Sequence, residues 1–381
     1  MKRYNISFNN QMRLFRKKYE QKFLKRDMKV YWNSYQKQRF AESYYKVYEA
    51  CENKKSKLLI IRDLIHLRIK WKCSPFHYYR YSLFDKKYTR KDIDNYVPET
   101  VFYYDILPKI NEDYNLLDNK NVTYDILKAN NIIIPKCILK IIDGNLFDGE
   151  SETIYDDIAL NKVLDSYNGD LIIAKFANCG SGGKQIKIVK RINNMFSVDG
   201  LLLNCANLKA NFNNWIFQEK LINNSALAII HPNSLNSFRI ITYSHHGEVK
   251  VLYMMLKFGN NGADTDNAHT NGIYIKVNIE KSETEGMAYD ENQKSYNEHP
   301  YTGEKLAGIK IDNLNEVIEI AIKCAKLFPQ LKFIGWDIAM TNKGLVVLEG
   351  NSSPGLTIIQ RTHNGMADFL NLYYDNSNKK W

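Results

Sequence analysis

The residues with the clearest chemical potential lie late in the sequence, in the segment FIGWDIAMTNKGLVVLEGN that spans residues 333–351. Its two apolar runs predict the paired strands of a β-hairpin. Because side chains alternate along a strand, Asp337 lies on one face of the first strand, and Glu349 and Asn351 share a face of the second. If the two faces coincide, two carboxylates and one amide oxygen converge on a point. Hard oxygen ligands of this kind suit Mg²⁺.

The turn between the strands decides whether the acids converge. A three-residue loop Asn342-Lys343-Gly344, with Gly344 left-handed, sets Asp337 opposite Glu349, whereas a two-residue loop sets it opposite Leu348 and turns the acids to opposite faces. The alternative is a half-exposed hairpin with its acids on the wet side. Both strands are strongly apolar, and an acid pair inside such a hairpin is costly without a cation. The sequence therefore predicts a metal site and the longer turn.

A second group of residues points to phosphate binding. Lys175 lies within the apolar run LIIAKFA, where an ammonium is expensive to keep unless an anion meets it. The glycines of Gly180 to Gly183 follow, and their backbone N–H groups can approach phosphate oxygens. The spacing matches neither GxGxxG nor GxxxxGK[ST], and a plain glycine turn is the alternative. Glu219 at the end of FQE and Arg239 in the run FRIIT add weight, because a strand arginine can clamp phosphate or carboxylate bidentately.

The elements that must position these residues predict an α+β fold with mixed sheets. Residues 57–70 predict a helix, on which Leu58, Ile61, Leu64, Ile65 and Ile69 mark an apolar stripe. After Pro98 the pattern changes to short strands and intervening helices. Helices are predicted at residues 121–130 and 314–328, and strands at residues 132–141, 170–177, 215–222, 238–244, 248–258 and 272–279, before the hairpin.

Charge is unevenly distributed along the 381 residues, whose formal net charge is +11. Residues 1–100 carry 25 Lys and Arg against 10 Asp and Glu, whereas residues 101–381 carry 28 against 32. Tyrosines are interleaved with the cations, as in HYYRY from His77 to Tyr81. Such a region can bind nucleic acid or an anionic membrane, and the alternative is a helical cap whose tyrosines pack on the neighbouring domain.

The six cysteines are scattered without a CxxC pair, so neither a disulfide framework nor a zinc site is indicated. A reducing cytoplasm is the expected location. No segment reaches the roughly 18 uncharged apolar residues that a membrane span needs. We therefore expect membrane contact only as peripheral binding of residues 1–60 to the anionic inner face.

Taken in order, the pieces between about residues 119 and 360 resemble the ATP-grasp superfamily. More narrowly, they are similar to the sugar-transfer-associated ATP-grasp family, which is found with polysaccharide biosynthesis genes. The narrower resemblance rests on GWDIAMTNKGLVVLEGNSSPG at 335–355, SLNSFRIIT at 234–242, DNAHTNGI at 266–273 and HPYTGEKLAG at 299–308. Composition predicts a basic, tyrosine-rich helical region (1–100), and the resemblance implies a linker with the first ATP-grasp subdomain (101–215) and a second subdomain with the metal site (216–381).

The resemblance also implies a role for each matching residue. The residues expected to bind ATP are Lys120, Lys175, Gly180, Ser181, Gly182, Gly183, Lys184, Glu219, Lys220, Leu221 and Ile222, with Asn267 and His269 as further candidates. Asp337, Glu349 and Asn351 take the positions that hold two Mg²⁺ ions. Arg239 takes the position of an arginine that faces the transferred phosphoryl group or the acyl phosphate, and Lys175 is the second catalytic residue.

Two departures from the family pattern bear on these assignments. The acid that many ATP-grasp enzymes use for the ribose hydroxyls is absent from INNSALAII, where Asn223 or Asn224 can substitute. The pattern around DNAHTNGI usually has two adjacent glycines, and here Asn271 precedes Gly272.

The implied activity is ATP-dependent carboxylate–amine ligation through an acyl phosphate. Its carboxylate and amine substrates are sugar-linked, in the assembly of surface or capsular polysaccharide. A kinase-like phosphotransferase is the alternative within the fold. A third possibility is a basic nucleic-acid-binding protein, but the excess charge is confined to residues 1–100 and no nucleic-acid motif accompanies it. No specific nucleic acid is therefore expected.

Overall fold

The computed structural model describes residues 46–112, 115–178, 186–260, 272–291 and 294–375. The chain divides into two compact units. One comprises Met1–Lys109 with Asn364–Trp381, and the other comprises Ile110–His363. The domain boundaries predicted from the sequence, at 100 and 215, stay predictions. All candidate site residues that the structure describes belong to the unit Ile110–His363.

Fifteen strands in the described ranges form two sheets within this unit. The first sheet has the order β3-β2-β1-β8-β4-β5-β6-β7. Its strands are β1 (Cys137–Ile142), β2 (Asn145–Asp148), β3 (Thr153–Ile154), β4 (Leu171–Phe176), β5 (Ile186–Ile192), β6 (Met195–Val198), β7 (Leu201–Leu202) and β8 (Trp215–Glu219).

The second sheet has the order β13-β12-β11-β10-β9-β14-β15. Its strands are β9 (Ser237–His245), β10 (Glu248–Phe258), β11 (Ile273–Asn278), β12 (Glu283–Tyr289), β13 (Ser295–Tyr296), β14 (Phe333–Thr341) and β15 (Gly344–Asn351).

Every strand pair in the described residues is antiparallel, so the prediction of mixed sheets is wrong. Most neighbouring strands in both sheets are consecutive in sequence and joined by short turns. A short turn reverses the chain, whereas a parallel neighbour needs a long crossover connection. The α+β class itself is confirmed.

Helices lie between and beside the strands. In chain order they are α1 (Lys57–Trp71), α2 (His77–Arg80), α3 (Arg90–Ile93), α4 (Glu99–Val101), a π-helix (Phe102–Ile106), α5 (Leu107–Ile110), α6 (Asn115–Asp118), α7 (Lys120–Ala129), α8 (Asp157–Asp165), α9 (Cys205–Asn211), α10 (Ser225–Ala228), α11 (Leu314–Lys326), α12 (Leu356–Thr362) and α13 (Ala367–Asp375). No helix among the described residues is long and apolar enough to cross a membrane.

A hydrophobic core covers one face of the second sheet, so the polar residues of this sheet lie on the opposite face. Apolar residues of α11, among them Val317 and Ala321, pack with Trp336 and Ile338 of β14 in one buried cluster. The same cluster contains every second residue of β9 and β10 near the middle of the sheet. Because side chains alternate along a strand, Asp337 between these two residues points to the opposite face. That face forms the wall of the site described below.

The unit that contains α1 buries tyrosines in its own interior. Tyr78 and Tyr81 of the HYYRY segment are at most 1% exposed. The Tyr78 hydroxyl donates a hydrogen bond to Asp63 of α1 at 3.3 Å. These two tyrosines therefore stabilise the fold of this unit and are not available to a ligand, whereas Tyr19, Tyr31, Tyr35, Tyr44 and Tyr45 lie outside the described residues.

Candidate functional site

The hairpin of β14 and β15 brings the predicted acids together by a route that the sequence did not predict. The strands end at Thr341 and Gly344, so the turn has two residues and the predicted three-residue loop is wrong. Gly344 does have a positive φ, of 98°. A regular ladder from this turn would place Asp337 opposite Leu348. The register instead shifts next to Asp337, and Asp337 pairs with Glu349.

This shift is a β-bulge, in which Leu348 is the extra residue of β15. A bulge adds one residue to one strand and so reverses the faces of all residues beyond it. Without the bulge, the two-residue turn would place Asp337 and Glu349 on opposite faces of the hairpin. The bulge brings them to the same face. As a result Asp337, Glu349 and Asn351 line one cavity, as the hypothesis of a metal site requires.

Asp337 is the electrostatic centre of this face. Its Oδ1 accepts from Arg239 Nε at 2.5 Å, and its Oδ2 accepts from Arg239 Nη2 at 3.0 Å. Lys257 Nζ, from β10, donates to the same Oδ2 at 2.9 Å. Asp337 and Lys257 are almost fully buried, at 3% and 1% exposure. One carboxylate is thus paired with two cations in an environment that water barely reaches.

The pKa values in this triad follow from the pairing. Burial alone would raise the pKa of Asp337, but Arg239 and Lys257 outweigh it and lower the pKa to about 2. Burial alone would lower the pKa of Arg239, but Asp337 raises it above its ordinary value. Both groups are therefore charged at neutral pH.

Glu349 and Asn351 complete the oxygen-bearing face. Asn351 donates from Nδ2 to Glu349 Oε1 at 3.4 Å, along the same edge of β15. Glu349 is only partly buried. Carboxylate and amide oxygens are the donors that Mg²⁺ prefers in proteins, so Glu349 and Asn351 fit this ion as they stand. Asp337 fits it by sharing oxygens that already accept from Arg239 and Lys257.

The opposite wall comes from the first sheet and α7. Lys175 lies in β4, between Ile186 of β5 and Ile216 of β8, and it lines the cavity. Lys120 is the first residue of α7, and its backbone N–H donates to the Ala177 carbonyl at 2.8 Å. This bond fixes the start of α7 against the end of β4. The two lysines that the sequence places far apart thus line the same cavity.

The end of β8 forms a further part of the cavity wall. Glu219 Oε1 accepts from the Lys136 backbone N–H at 3.0 Å, and Oε2 accepts from Lys343 Nζ at 2.5 Å. Lys343 lies in the turn between β14 and β15, so this ion pair joins the two sheets. Both oxygens of Glu219 already have a donor in this structure. A ligand that takes a bond from this carboxylate shares or displaces one of them.

The acids, the amide and the cations of the second sheet line one cavity of about 830 Å³ together with Lys120, Lys175 and Glu219. Ten predicted site residues lie in its walls: Lys120, Lys175, Glu219, Lys220, Leu221, Ile222, Arg239, Asp337, Glu349 and Asn351. Asn223, one of the two candidates for the ribose, also lines it. The glycine-loop residues Gly180, Ser181, Gly182, Gly183 and Lys184, together with Asn267 and His269, lie outside the described residues. The roles assigned to individual residues stay predictions.

Lys257 lines the same cavity and donates to Asp337, but it is not among the residues predicted from the sequence. It lies in the run VLYMMLKF, as an ammonium within an apolar strand. The same signal drew attention to Lys175 and would have identified Lys257 as well. Lys257 lies two residues from Met255, which pairs with Arg239. Because side chains alternate along a strand, Lys257 and Met255 share the face that lines the cavity.

A family model described as sugar-transfer associated ATP-grasp matches residues 103–370. No curated protein sequence matches the chain. Among solved structures, the chain is similar to the VanG D-Ala:D-Ser ligase from Enterococcus faecalis, with 15% identity and a TM-score of 0.39, over 68% of this chain and 60% of that one.

It is also similar to biotin carboxylase from Campylobacter jejuni, with 12% identity and a TM-score of 0.42, over 70% of this chain and 47% of that one. The D-alanyl-alanine synthetase A of Vibrio cholerae matches with 14% identity and a TM-score of 0.40, over 68% and 65%. The chain therefore spans less than two thirds of the length of these relatives.

Proposed function

Because the chain belongs to the sugar-transfer associated ATP-grasp family, we propose that it is an ATP-dependent ligase that joins a carboxylate to an amine through an acyl phosphate. The observation that carries the proposal is the single cavity. One wall has the acids Asp337 and Glu349 beside the cations Arg239 and Lys257, and the other has Lys175. Oxygen ligands for a metal next to cations for phosphate suit a magnesium nucleotide.

ATP and Mg²⁺ are the ligands that suit the two walls of this cavity. Asp337, Glu349 and Asn351 are the residues that would hold the metal. When bound, Mg²⁺ supplies a Lewis acid that withdraws charge from phosphoryl oxygens. Lys120, Lys175 and the segment Glu219 to Ile222 are the residues proposed to hold the nucleotide.

The chain's own cations supply the rest of the electrostatic stabilisation. Arg239 is fixed by its bidentate pair with Asp337, so its orientation costs nothing further during the reaction. Lys257 is fixed by the same carboxylate. Lys175 places a third cation on the opposite wall, where it neutralises phosphate charge. The mechanism requires no Ser, Cys or His nucleophile and no covalent enzyme intermediate.

The proposed substrates are sugar-linked, and the family description supports this class. Either a sugar carboxylate is joined to an amine or amino acid, or an amino acid carboxylate is joined to an amino sugar. Both belong to the assembly of surface polysaccharide. The enzyme would work in the cytoplasm, where ATP is available.

A coupled ADP assay with matched substrate sets tests the proposal. We expect ADP release only when a uronic acid or amino acid and an amine are supplied together with Mg²⁺ and ATP. The product should contain an amide, detectable by mass spectrometry. ADP release with a sugar that carries no carboxylate, together with a phosphorylated product, would instead establish the phosphotransferase.

We expect Lys175→Met to weaken ATP binding and to slow the reaction together. The ammonium contacts phosphate in both the ground state and the transition state, so its loss raises KM for ATP and lowers kcat. A loss of one such charge contact is typically on the order of 10²-fold in kcat/KM. Steady-state kinetics with varied ATP measures both constants.

The matched control is Lys190→Met on the neighbouring strand β5, which removes an exposed ammonium outside the cavity. Its kinetics should equal those of the wild type. If Lys175→Met leaves the KM for ATP unchanged, Lys175 does not bind ATP and its role is structural.

A further inference from the structure

Helix α1 has an apolar face that the described structure leaves uncovered. Leu58, Ile61, Ile65 and Ile69 are 80%, 53%, 54% and 71% exposed. At 3.6 residues per turn these four side chains fall within an arc of roughly 80°. They are the outward members of the apolar stripe predicted for this helix, and we call them the α1 stripe. A contiguous exposed apolar face on a soluble unit marks a binding surface.

The opposite side of the same helix already has a partner. Ile60, Leu67 and Trp71 are buried, together with Asp63. The helix is therefore apolar on two opposite faces, of which only one packs into its own unit. Burying the inner face explains the fold, but it does not explain four exposed aliphatic residues on the outer one.

Cations flank the α1 stripe, and no exposed acid accompanies them on the helix. Lys57 and Arg62 lie on either side of the stripe and Lys72 follows its end, and all three are exposed. The helix contains one acid, Asp63, whose side chain is 1% exposed and accepts from Lys55 at 3.0 Å. Arg62 contacts the same carboxylate at 3.4 Å from the exposed side. The outer surface is thus apolar in the middle and positive at its margins.

This charge pattern selects among possible occupants. A second copy packed on the α1 stripe would bring the cations of two helices together, and Asp63, the one carboxylate of each helix, is already shared between Lys55 and Arg62. An anionic lipid surface offers an apolar layer for the stripe and negative headgroups for its margins. Residues 1–100 also carry 15 more basic than acidic side chains, counted from 25 and 10.

We infer that the α1 stripe is a peripheral docking surface for an anionic membrane. The membrane contact expected for residues 1–60 is thereby assigned to a defined surface, which extends to Ile69. The face lies in a different compact unit from the candidate site. Docking and catalysis can therefore fail independently.

Co-sedimentation of the full-length protein with vesicles tests this inference. The vesicles contain either phosphatidylcholine alone or an equal mixture of phosphatidylcholine and phosphatidylglycerol, each at low and high salt. We expect binding to the anionic vesicles at low salt and weak binding to the neutral ones. In Ile61→Gln/Ile65→Gln, loss of two aliphatic side chains should weaken the partition on the order of tenfold or more.

The matched control is Ile158→Gln/Ile192→Gln, which changes two isoleucines that are 82% and 56% exposed in the other compact unit. This control should bind like the wild type. Circular dichroism should give the same helical signal for all three proteins.

Three outcomes would overturn the inference. They are no binding of the wild type to anionic vesicles, equal binding of the wild type and the α1 variant, and equal loss in both variants. A concentration-dependent dimer in sedimentation velocity that the α1 variant abolishes would instead assign the α1 stripe to a second copy. None of these outcomes depends on ATP turnover, so they leave the proposed ligase activity untouched.

Discussion

The Glu349→Gln variant should lose ATP turnover by roughly 10²–10³-fold and keep the stability of the wild type. The change removes one charged oxygen from the proposed metal face and preserves the volume of the side chain. Glu349 is partly exposed and accepts one hydrogen bond, from Asn351, which a glutamine can also accept. The loss should therefore appear in the chemistry and not in the fold.

ADP production and urea unfolding measure these two effects on the same preparation. Glu319→Gln is the matched control, because Glu319 is an exposed carboxylate of α11 outside the cavity. It should behave like the wild type in both measurements. If folded Glu349→Gln releases ADP at a near-normal rate, the assignment of this hairpin to the metal is wrong.

The Asp337→Asn variant should lose both activity and stability. The substitution removes the negative charge that Arg239 and Lys257 share, in an interior where Lys257 is 1% exposed. Removing one member of a buried ion pair typically costs about 3–5 kcal/mol in the free energy of unfolding, because the remaining charge stays buried. Asp337 and Glu349, twelve positions apart on one hairpin, should therefore differ in their effect on stability, although both variants lose activity.

The same variant has a pH signature. The pKa of Asp337 is lowered to about 2 in the folded protein, below its unfolded value of about 4. A depressed pKa contributes stability above the unfolded value and loses it as pH falls through the folded one. The wild type should thus lose a component of stability between about pH 4 and pH 2 that Asp337→Asn lacks.

Asp312→Asn, which neutralises an exposed carboxylate of the same unit, is the reference for both measurements. Equal urea midpoints for Asp337→Asn and Asp312→Asn would mean that the buried triad contributes no net stability. Parallel pH profiles for Asp337→Asn and the wild type would mean that Asp337 is not the group whose pKa is depressed.

Much of the site could be predicted because it depends on local patterns. Alternation along an apolar strand places Asp337 opposite the core, and an ammonium in such a strand, as at Lys175, indicates a nearby anion. These rules need only the residues within one element. They place each side chain on a face of its strand but not beside a particular neighbour.

The parts that could not be predicted depend on contacts between distant residues. The bulge at Leu348 lies in β15, which within the described ranges is an edge strand of the sheet beside β14, and nothing within β15 marks the residue that leaves the ladder. Lys257 meets Asp337 from 80 residues away, and Glu219 meets Lys343 from 124 residues away. The outward direction of the α1 stripe likewise depends on how Trp71 and Leu67 pack. Periodicity identifies two apolar faces and cannot say which one is covered.

The bulge in β15 also increases the number of neighbouring side chains that one strand can direct into the same cavity. A regular strand gives one side chain to a face for every two residues, or about 6.8 Å of length. Here Leu348, Glu349 and Asn351, three of four consecutive residues, line the same cavity. An aliphatic side chain is thereby set directly beside a carboxylate that faces the same space. The hairpin thus presents an apolar side chain, a carboxylate and an amide to the cavity from a stretch of backbone that would otherwise supply only two side chains.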